Sequence, residues 1–159
     1  MSRSLSLVLP VRNAEETLAE NLQHLFEVLT DLTERFEVVL VDEGSTDQTV
    51  EVAKDLAVQY PQVRLSRRDA LSYREDSVDD ALDETTGDVV IVHVNHTTLR
   101  PSVLRTLWAM DEGRAPTGVA SSRSRGGLPG LPSHRRRMHT ALPWTEIGGV
   151  RMIRRRQDG

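Results

Sequence analysis

The stretch VVLVDEGSTDQTV, residues 38–50, begins with four apolar residues. A group of acidic, glycine and hydroxyl residues follows them directly. Asp42 and Glu43 come directly after the apolar residues, and Gly44 comes next. A carboxylate at such a position accepts hydrogen bonds strongly, either from backbone N–H groups of its own turn or from an N–H group of a ligand. Asp42 therefore has two interpretations, a turn residue or a ligand-binding acid, and this stretch alone does not separate them.

The segments around this stretch predict strands and helices in alternation. Apolar runs predict strands at SLVLP, FEVVLV and VVIVHV, and VRLS predicts a shorter strand between the last two. Apolar residues at spacings of three and four predict a first helix with an inward stripe of Leu18, Leu22, Leu25, Phe26, Leu29 and Leu32. Further helices are predicted after Ser45, with Val50, Ala53, Leu56 and Ala57 inward, at Ser77–Thr86 and at Pro101–Met110.

The helix starts and the order of elements lead to a fold class. Asn13 with Glu16, and Ser45 with Gln48, have the spacing of capping boxes, which would begin the first two helices. Strand and helix alternate four times, which predicts an α/β fold with a mostly parallel, Rossmann-like sheet flanked by helices. Ligands bind at the carboxyl ends of the strands in such sheets, and Asp42 lies at one of them.

Composition limits the classes of protein that remain. A chain of 159 residues predicts one domain. The absence of cysteine excludes disulfides and thiolate sites. The apolar run near the N-terminus is too short to span a membrane, so we expect a cytoplasmic protein. Aromatic residues make up 4% of the chain, and the lack of a stacking platform argues against nucleic-acid binding.

Charge divides the chain into two parts. Residues 1–112 hold 10 Lys and Arg against 22 Asp and Glu, whereas residues 113–159 hold 10 Arg against Glu146 and Asp158. The basic part has two interpretations, a solvated segment or a surface that binds phosphate groups or a membrane.

Three motifs resemble those of family 2 glycosyltransferases. PVRNAEE at residues 10–16 and VDEGSTDQT at residues 41–49 are similar to the P-x-x-N-E and V-D-D-G-S-T-D-x-T segments of that family, and TGDVVIVHV is similar to its T-G-D strand. VASSR at residues 119–123 and GGVRMIRR at residues 148–155 resemble segments of the polyprenyl-phosphate and dolichyl-phosphate sugar transferase branch. The resemblance implies a single GT-A domain, in which residues 1–112 bind the nucleotide-sugar and residues 113–159 form a shortened acceptor side.

The resemblance also implies a nucleotide site. Pro10, Val11 and Asp42 fill the places that hold the nucleotide base, with Asp42 accepting the base N–H, and Glu43 stands at the second acid. Arg68 stands near the base or the phosphates.

The metal-binding segment departs from the family. The family's D-x-D falls on Val94, Asn95 and His96, so the Mg²⁺ or Mn²⁺ that it implies is in doubt here. His96 could ligate a metal, and His93 alternates with it along the strand, but two imidazoles without a carboxylate suit Zn²⁺ better than Mg²⁺. The alternative is that these histidines have no metal role.

The acceptor side offers few groups for catalysis. Glu146 is the one acid between Glu112 and Asp158, and so the one candidate there for a general base. Arg123 and the cluster Arg135, Arg136 and Arg137 could bind phosphates, or could be solvated.

Two hypotheses follow from these motifs. The first is a glycosyltransferase that moves a sugar from a nucleotide-sugar to a lipid phosphate or saccharide, with a lipid acceptor bringing the protein to the membrane surface. The second is a catalytically inactive relative, a pseudoenzyme that acts as a binding or regulatory protein. The lost D-x-D favours the second, and the retained base-binding loop favours the first.

Overall fold

The computed structural model describes residues 3–67, 83–93, 98–113, 122–123 and 144–155. Its elements are β1 (Leu5–Val11), α1 (Leu18–Leu32), β2 (Phe36–Asp42), α2 (Thr49–Gln59), β3 (Val63–Arg67), β4 (Val89–His93), α3 (Pro101–Asp111), β5 (Ser122–Arg123), β6 (Trp144–Ile147) and β7 (Val150–Arg154). The strands form one sheet in the order β3-β2-β1-β4-β7-β6-β5.

The four N-terminal strands form the parallel half of this sheet. β1 pairs with β2 on one side and with β4 on the other, and β2 pairs with β3. Both faces of β1, β2 and β4 are largely buried, which explains why their sequences are apolar without alternation. The edge strand β3 differs, because Arg64 and Arg67 are exposed. The α/β fold predicted from the sequence is confirmed.

The C-terminal half of the sheet is antiparallel. β7 pairs with β4, β6 pairs with β7, and β5 pairs with β6. Gly148 and Gly149 join β6 to β7 with φ values of 56° and 77°, a conformation that favours glycine in a two-residue hairpin turn. The sequence patterns did not predict these three strands, because they are short and lie between Gly- and Arg-rich segments.

The larger hydrophobic core lies on one face of the sheet, beneath all three helices. It includes Leu7 and Leu9 of β1, Leu22 of α1 and Leu104 of α3. The other face carries a smaller cluster of valines from β1, β2 and β4, with Ile153 packed against it. Two buried faces fix the register of the central strands, since a slip of one residue would exchange the faces.

The predicted capping boxes are wrong, although α1 and α2 are both present. The helices begin at Leu18 and Thr49, and neither residue that precedes them caps the helix with its side chain. The polar side chains of both segments bond to the other loop instead, as described below. The predicted third helix falls mostly outside the described residues: Asp83 and Glu84 are helical, whereas Thr85 and Thr86 are not.

Polar side chains join the strands at the amino edge of the sheet. The hydroxyl of Ser6, which is fully buried, donates to Glu37 at 2.6 Å and accepts from the N–H of Gly87 at 2.8 Å. Glu37 also accepts from the N–H of Thr86 at 2.6 Å and pairs with Arg64. Burial raises the pKa of Glu37, but the hydrogen bonds from Ser6 and Thr86 and the charge of Arg64 lower it further, so this pKa lies below its ordinary value.

Two more carboxylates, at the same edge of the sheet, bond to residues near the N-terminus and to β7. Asp88, the acid of the T-G-D segment, accepts from both the N–H and the hydroxyl of Ser4 at 2.9 Å. Asp111, buried at the end of α3, pairs with Arg3 and with Arg154. Within the described residues, no helix has the length and apolar character that crossing a membrane requires.

Replacing Gly87 by alanine should destabilise the fold strongly. A Cβ at Gly87 would lie 2.7 Å from the Ser6 nitrogen and 2.9 Å from the Leu5 carbonyl carbon, and this backbone cannot move without disturbing β1. We expect the free energy of unfolding, measured in urea, to fall by about 3 kcal/mol. Gly113→Ala is the control, because Gly113 has a φ of 75° and nothing within 4 Å of the added atom, so only backbone strain of about 1 kcal/mol applies. Equal losses in the two variants would contradict the close approach.

The stabilising effect of the Glu37 charge should disappear in acid. Because folding lowers the pKa of Glu37, its contribution is fully present above about pH 4.5 and is lost as the pH falls through the lower folded pKa. The difference in unfolding free energy between the wild type and Glu37→Gln should therefore shrink between pH 5 and pH 3. Glu34→Gln, at an exposed glutamate, removes the same charge as a control. A Glu37→Gln difference that stays constant over this range would argue against the interaction.

Candidate functional site

The predicted nucleotide residues that the structure describes lie together at the carboxyl edge of the sheet. Pro10 and Val11 end β1, and Asp42 ends β2 as the direct partner of Val11 in the parallel register. The backbone N–H of Glu43 donates to the Val11 carbonyl at 3.0 Å, which continues the strand pairing by one residue. β1 is also the strand at which the order along the sheet reverses, so this edge is where an α/β sheet commonly binds a ligand.

Asp42 is a buried carboxylate, only 3% exposed, at the start of a turn. It accepts from the N–H groups of Gly44 and Ser45, each at 3.3 Å, and Gly44 has a φ of 82°. These two bonds fit the interpretation of Asp42 as a turn residue. They are long, and a carboxylate has about four acceptor positions, so a ligand N–H can be accepted in addition.

The β1–α1 loop, residues 12–17, and the β2–α2 loop, residues 43–48, are joined by hydrogen bonds. Asn13 donates its N–H to the Ser45 hydroxyl at 3.0 Å and accepts from the Thr46 N–H at 2.8 Å through its side chain. The N–H of Ala14 donates to the hydroxyl of Thr49 at 2.7 Å. We call these contacts the loop clasp.

Two carboxylates complete the loop clasp. Glu15 accepts from the N–H of Gln48 at 2.7 Å, and Asp47 accepts from the N–H groups of Glu15 and Thr49 at 3.2 and 3.0 Å. Desolvation raises the pKa of Asp47, but the hydrogen bonds from Thr49 and Glu15 outweigh it and lower this pKa below its ordinary value. The clasp therefore favours the charged form of Asp47 and holds both loops in one arrangement beside Asp42.

A cavity of about 140 Å³ opens at the same edge, between the end of β1, the first turns of α1 and residues 98–99. Pro10, Val11 and Arg12 line one wall, and His93, at the end of β4 and 4% exposed, lines another. Thr17, Asn21 and Thr98 add further polar groups, so the walls are partly polar and partly apolar. Such a volume holds several water molecules or a small chemical group.

The expected metal position lies outside the described residues, which end at His93 and resume at Thr98. In the described part of the chain, no three His, Asp or Glu side chains are grouped so that they could hold a metal ion. Valine at position 94 has no donor atom, and asparagine at position 95 offers a neutral amide. His96 thus remains the one predicted ligand, and it stays a prediction.

The structure describes the remaining predicted site residues unevenly. Arg68 and the cluster at residues 135–137 lie outside the described residues, and of Arg123 only the backbone, in β5, is described. Glu146 lies on β6 and accepts from Nε of Arg151 on β7 at 2.9 Å. This ion pair holds the carboxylate that we predicted as a base.

Sequence reasoning missed three residues of this edge. Asn13 has a φ of 47°, a left-handed conformation that asparagine tolerates better than most residues, and it anchors the loop clasp. Arg12 lines the cavity, and Arg67 is the partner of Asp42 in the register with β3. The P-x-x-N and D-E-G-S-T-D motifs were the available signal for the clasp, but nothing in either segment shows that they bond to each other.

Comparison with known proteins identifies the family. The sequence profile "Glycosyl transferase family 2" matches residues 6–158. The dolichol-phosphate mannosyltransferase of Pyrococcus furiosus is 28% identical over 123 residues, which are 77% of this chain and 34% of that protein. The undecaprenyl-phosphate 4-deoxy-4-formamido-L-arabinose transferase of Photorhabdus laumondii is 35% identical over 57 residues, 36% of this chain and 18% of that protein. The chain thus spans about a third or less of the length of these relatives.

Solved structures share the fold. Glucosyl-3-phosphoglycerate synthase from Mycobacterium tuberculosis, in complex with Mn²⁺, UDP and glucosyl-3-phosphoglycerate, matches with a TM-score of 0.52 and 22% identity over 75% of this chain and 42% of that chain. Residues 1–349 of S. aureus TarS match with a TM-score of 0.53 and 18% identity over 95% of this chain and 47% of that chain. These similarities support the GT-A architecture that the motifs implied.

Substitution of Asn13 should loosen the loop clasp in two separable ways. Asn13→Gly keeps the left-handed conformation but removes the acceptor of the Thr46 N–H, so we expect a loss of about 1 kcal/mol in unfolding free energy. Asn13→Ala loses the same bond and adds backbone strain of about 1 kcal/mol. Hydrogen exchange should accelerate at the Thr46 amide in both variants. Unchanged exchange there would show that the side chain does not join the loops.

Proposed function

Because the chain belongs to glycosyl transferase family 2, we propose that it binds a nucleotide-sugar donor and transfers the sugar to an acceptor oxygen. The observation that carries the proposal is the buried carboxylate of Asp42, which lies at the carboxyl edge of the sheet beside two loops that hydrogen bonds hold together. Such an arrangement is prepared for a ligand before the ligand arrives, which reduces the entropy cost of binding.

In the proposed site, Asp42 recognises the nucleotide base. A uracil or guanine ring presents an imide or amide N–H, and a carboxylate accepts such a donor more strongly than a neutral oxygen does. The backbone of Pro10 and Val11 would line one side of the ring, and Glu43 and Arg68 would lie on the other side, towards the ribose and the phosphates.

For transfer, an acceptor oxygen attacks the anomeric carbon, the bond to the diphosphate breaks, and the nucleoside diphosphate leaves with the bonding electrons. A hydroxyl acceptor must lose a proton to a base, but Glu146, the predicted base, is engaged with Arg151. A phosphate acceptor is already ionised and needs no base. This difference favours a phosphate acceptor for the proposed reaction.

We therefore propose a lipid phosphate as the acceptor. Similar proteins are named as dolichol-phosphate and undecaprenyl-phosphate sugar transferases, which supports this class. Residues 113–159 would form the acceptor side, where Arg123 and Arg135–Arg137 would bind the acceptor phosphate. A lipid acceptor would also bring the protein to a membrane surface.

The metal of the family fits the residues of this chain poorly. A similar synthase was crystallised with Mn²⁺ and UDP, and a divalent cation would supply positive charge against a leaving diphosphate. Here Val94 and Asn95 replace ligand positions, and His96 alone is a weak ligand for Mg²⁺. We therefore assign no step to a metal. The alternative of an inactive binding protein rests on the same positions, but the similar proteins named above are transferases and synthases and lend it no support.

Asp42→Asn tests the base slot. The asparagine amide keeps one oxygen, which can still accept from the N–H groups of the turn. Its second oxygen is replaced by an NH₂ group, which is a donor and cannot accept the base N–H. We expect the affinity for UDP or GDP, and for the matching nucleoside, to fall by tenfold or more, since a hydrogen bond to a charged group contributes about 1.5–3 kcal/mol. Isothermal titration of the wild type with uridine, UDP, guanosine and GDP first identifies the base, and then measures the loss.

Asp55→Asn is the matched control, because it removes one exposed carboxylate from α2 and leaves the slot intact. Circular dichroism and a thermal melt confirm that each variant is folded. Equal nucleoside affinity in the wild type and in a folded Asp42→Asn variant would remove Asp42 from the site. Release of nucleoside diphosphate that depends on added polyprenyl phosphate, followed with a labelled nucleotide-sugar, tests transfer itself.

A further inference from the structure

Arginine side chains are paired differently at the two edges of the sheet. Near the amino edge, Arg64 pairs with Glu37, and Arg3 and Arg154 both pair with Asp111. These guanidinium groups balance buried or half-buried carboxylates, so their charge is used within the fold.

Three more of the described arginines, all exposed, lie at the carboxyl edge: Arg12 follows β1, Arg67 ends β3 and Arg100 precedes α3. Among the residues that the structure describes, none of these three side chains forms a hydrogen bond or an ion pair. Their positive charge is therefore available to a ligand at the edge where the nucleotide slot lies.

Three acids of the same edge, unlike these arginines, form hydrogen bonds within the fold. Asp42, Glu15 and Asp47 each accept hydrogen bonds from backbone N–H groups of the two loops. Those bonds offset part of each negative charge locally and fix the carboxylates in place. An anion that approaches this edge therefore meets exposed guanidinium groups beside three acids that are already engaged, with Glu16 as a further exposed carboxylate of the β1–α1 loop.

The strand register places two of the arginines on either side of Asp42. Val11 is the partner of Asp42, which is the partner of Arg67, and Arg12 follows Val11 directly. Neighbouring strands lie about 4.8 Å apart, so the backbones of Arg12 and Arg67 are separated by roughly 10 Å. Two long side chains that start at this separation can contact the two phosphates of one diphosphate next to a base held by Asp42.

The divalent cation, by contrast, lacks its ligands. Position 94 is valine, position 95 is asparagine, and only His96 remains of the predicted metal segment. The described part of the chain contains no alternative group of three His, Asp or Glu side chains for a metal. The donor set of this chain suits an anion better than a hard cation.

We propose that Arg12 and Arg67 bind the diphosphate of the donor and replace the divalent cation, so that this protein holds its donor without a metal. The inference rests on the proposed function for the nucleotide slot. Each guanidinium would donate charge-assisted hydrogen bonds to phosphate oxygens. Arg100 adds a third positive charge, since it follows directly the residues 98–99 that share a cavity with Arg12.

The test compares uridine, UDP and inorganic pyrophosphate by isothermal titration, in EDTA and in Mn²⁺, with guanosine and GDP in parallel. In EDTA the diphosphate should bind at least tenfold more tightly than its nucleoside. Arg12→Gln and Arg67→Gln should each lower the affinity for UDP or GDP and for pyrophosphate by roughly tenfold, and the nucleoside affinity should not change. Arg35→Gln is the control, because Arg35 is an exposed arginine that precedes β2 at the opposite edge.

The outcomes separate this inference from the proposed function. The inference is overturned if UDP or GDP binds more tightly than its nucleoside only in Mn²⁺. It is also overturned if this difference in affinity survives in the Arg12→Gln Arg67→Gln double variant. Neither result contradicts the base slot. Arginine-dependent pyrophosphate binding without any nucleoside binding supports the anion site and overturns the slot. If neither nucleotides nor pyrophosphate bind the folded protein, both proposals are overturned.

Discussion

The pairing of β1 with β2 is the interaction on which the rest of the structure depends. β1 lies between β2 and β4, and Leu5, Leu7 and Val8 are fully buried. Because the two strands are parallel and in register from Leu5 with Phe36 to Val11 with Asp42, their carboxyl ends finish side by side. The loops that follow can then bond to each other, and Asp42 is placed beside them. A shift of this register would separate the clasp residues and turn Asp42 to the other face of the sheet.

The polar groups at the two edges of the sheet are arranged differently. At the amino edge, Ser6, Glu37 and Gly87 are packed with hydrogen bonds of 2.6–2.8 Å, and the acid of the T-G-D segment bonds to Ser4. The T-G-D segment therefore has a structural role here. Its glycine allows the close approach to β1, and its aspartate bonds to Ser4, directly before β1. At the carboxyl edge a cavity and exposed arginines remain. These exposed arginines lie at the edge where the proposed ligand would bind.

The sequence was sufficient for the parallel half of the fold. The runs around Val39 and Ile91 predicted strands correctly because strands that are buried on both faces are apolar throughout. The capping boxes predicted at Asn13 and Ser45 were wrong for a physical reason. The side chains of these residues hydrogen-bond to the other loop, 32 residues away, and do not cap their own helices. The local spacing of residues contains no information about that distant loop. The position of Asp42 at a strand end was predictable, and its bonds to Gly44 and Ser45 match one of the two interpretations from the sequence. Its depth of burial was not predictable, because that depends on segments distant in the sequence. The antiparallel hairpin was not predictable, because its strands are short and its only clear signal is the pair of glycines at 148 and 149.

The altered metal segment and the unpaired arginines are consistent parts of one electrostatic change. Two carboxylates without a cation would place negative charge against a diphosphate and weaken its binding. In the proposed site, Val94 and His96 stand where the resemblance implies those acids, which would remove that repulsion and let guanidinium groups balance the phosphates. Without the arginines, the lost acids and their cation would leave the diphosphate without a counter-charge. The altered metal segment and the exposed arginines therefore fit together within the proposed site.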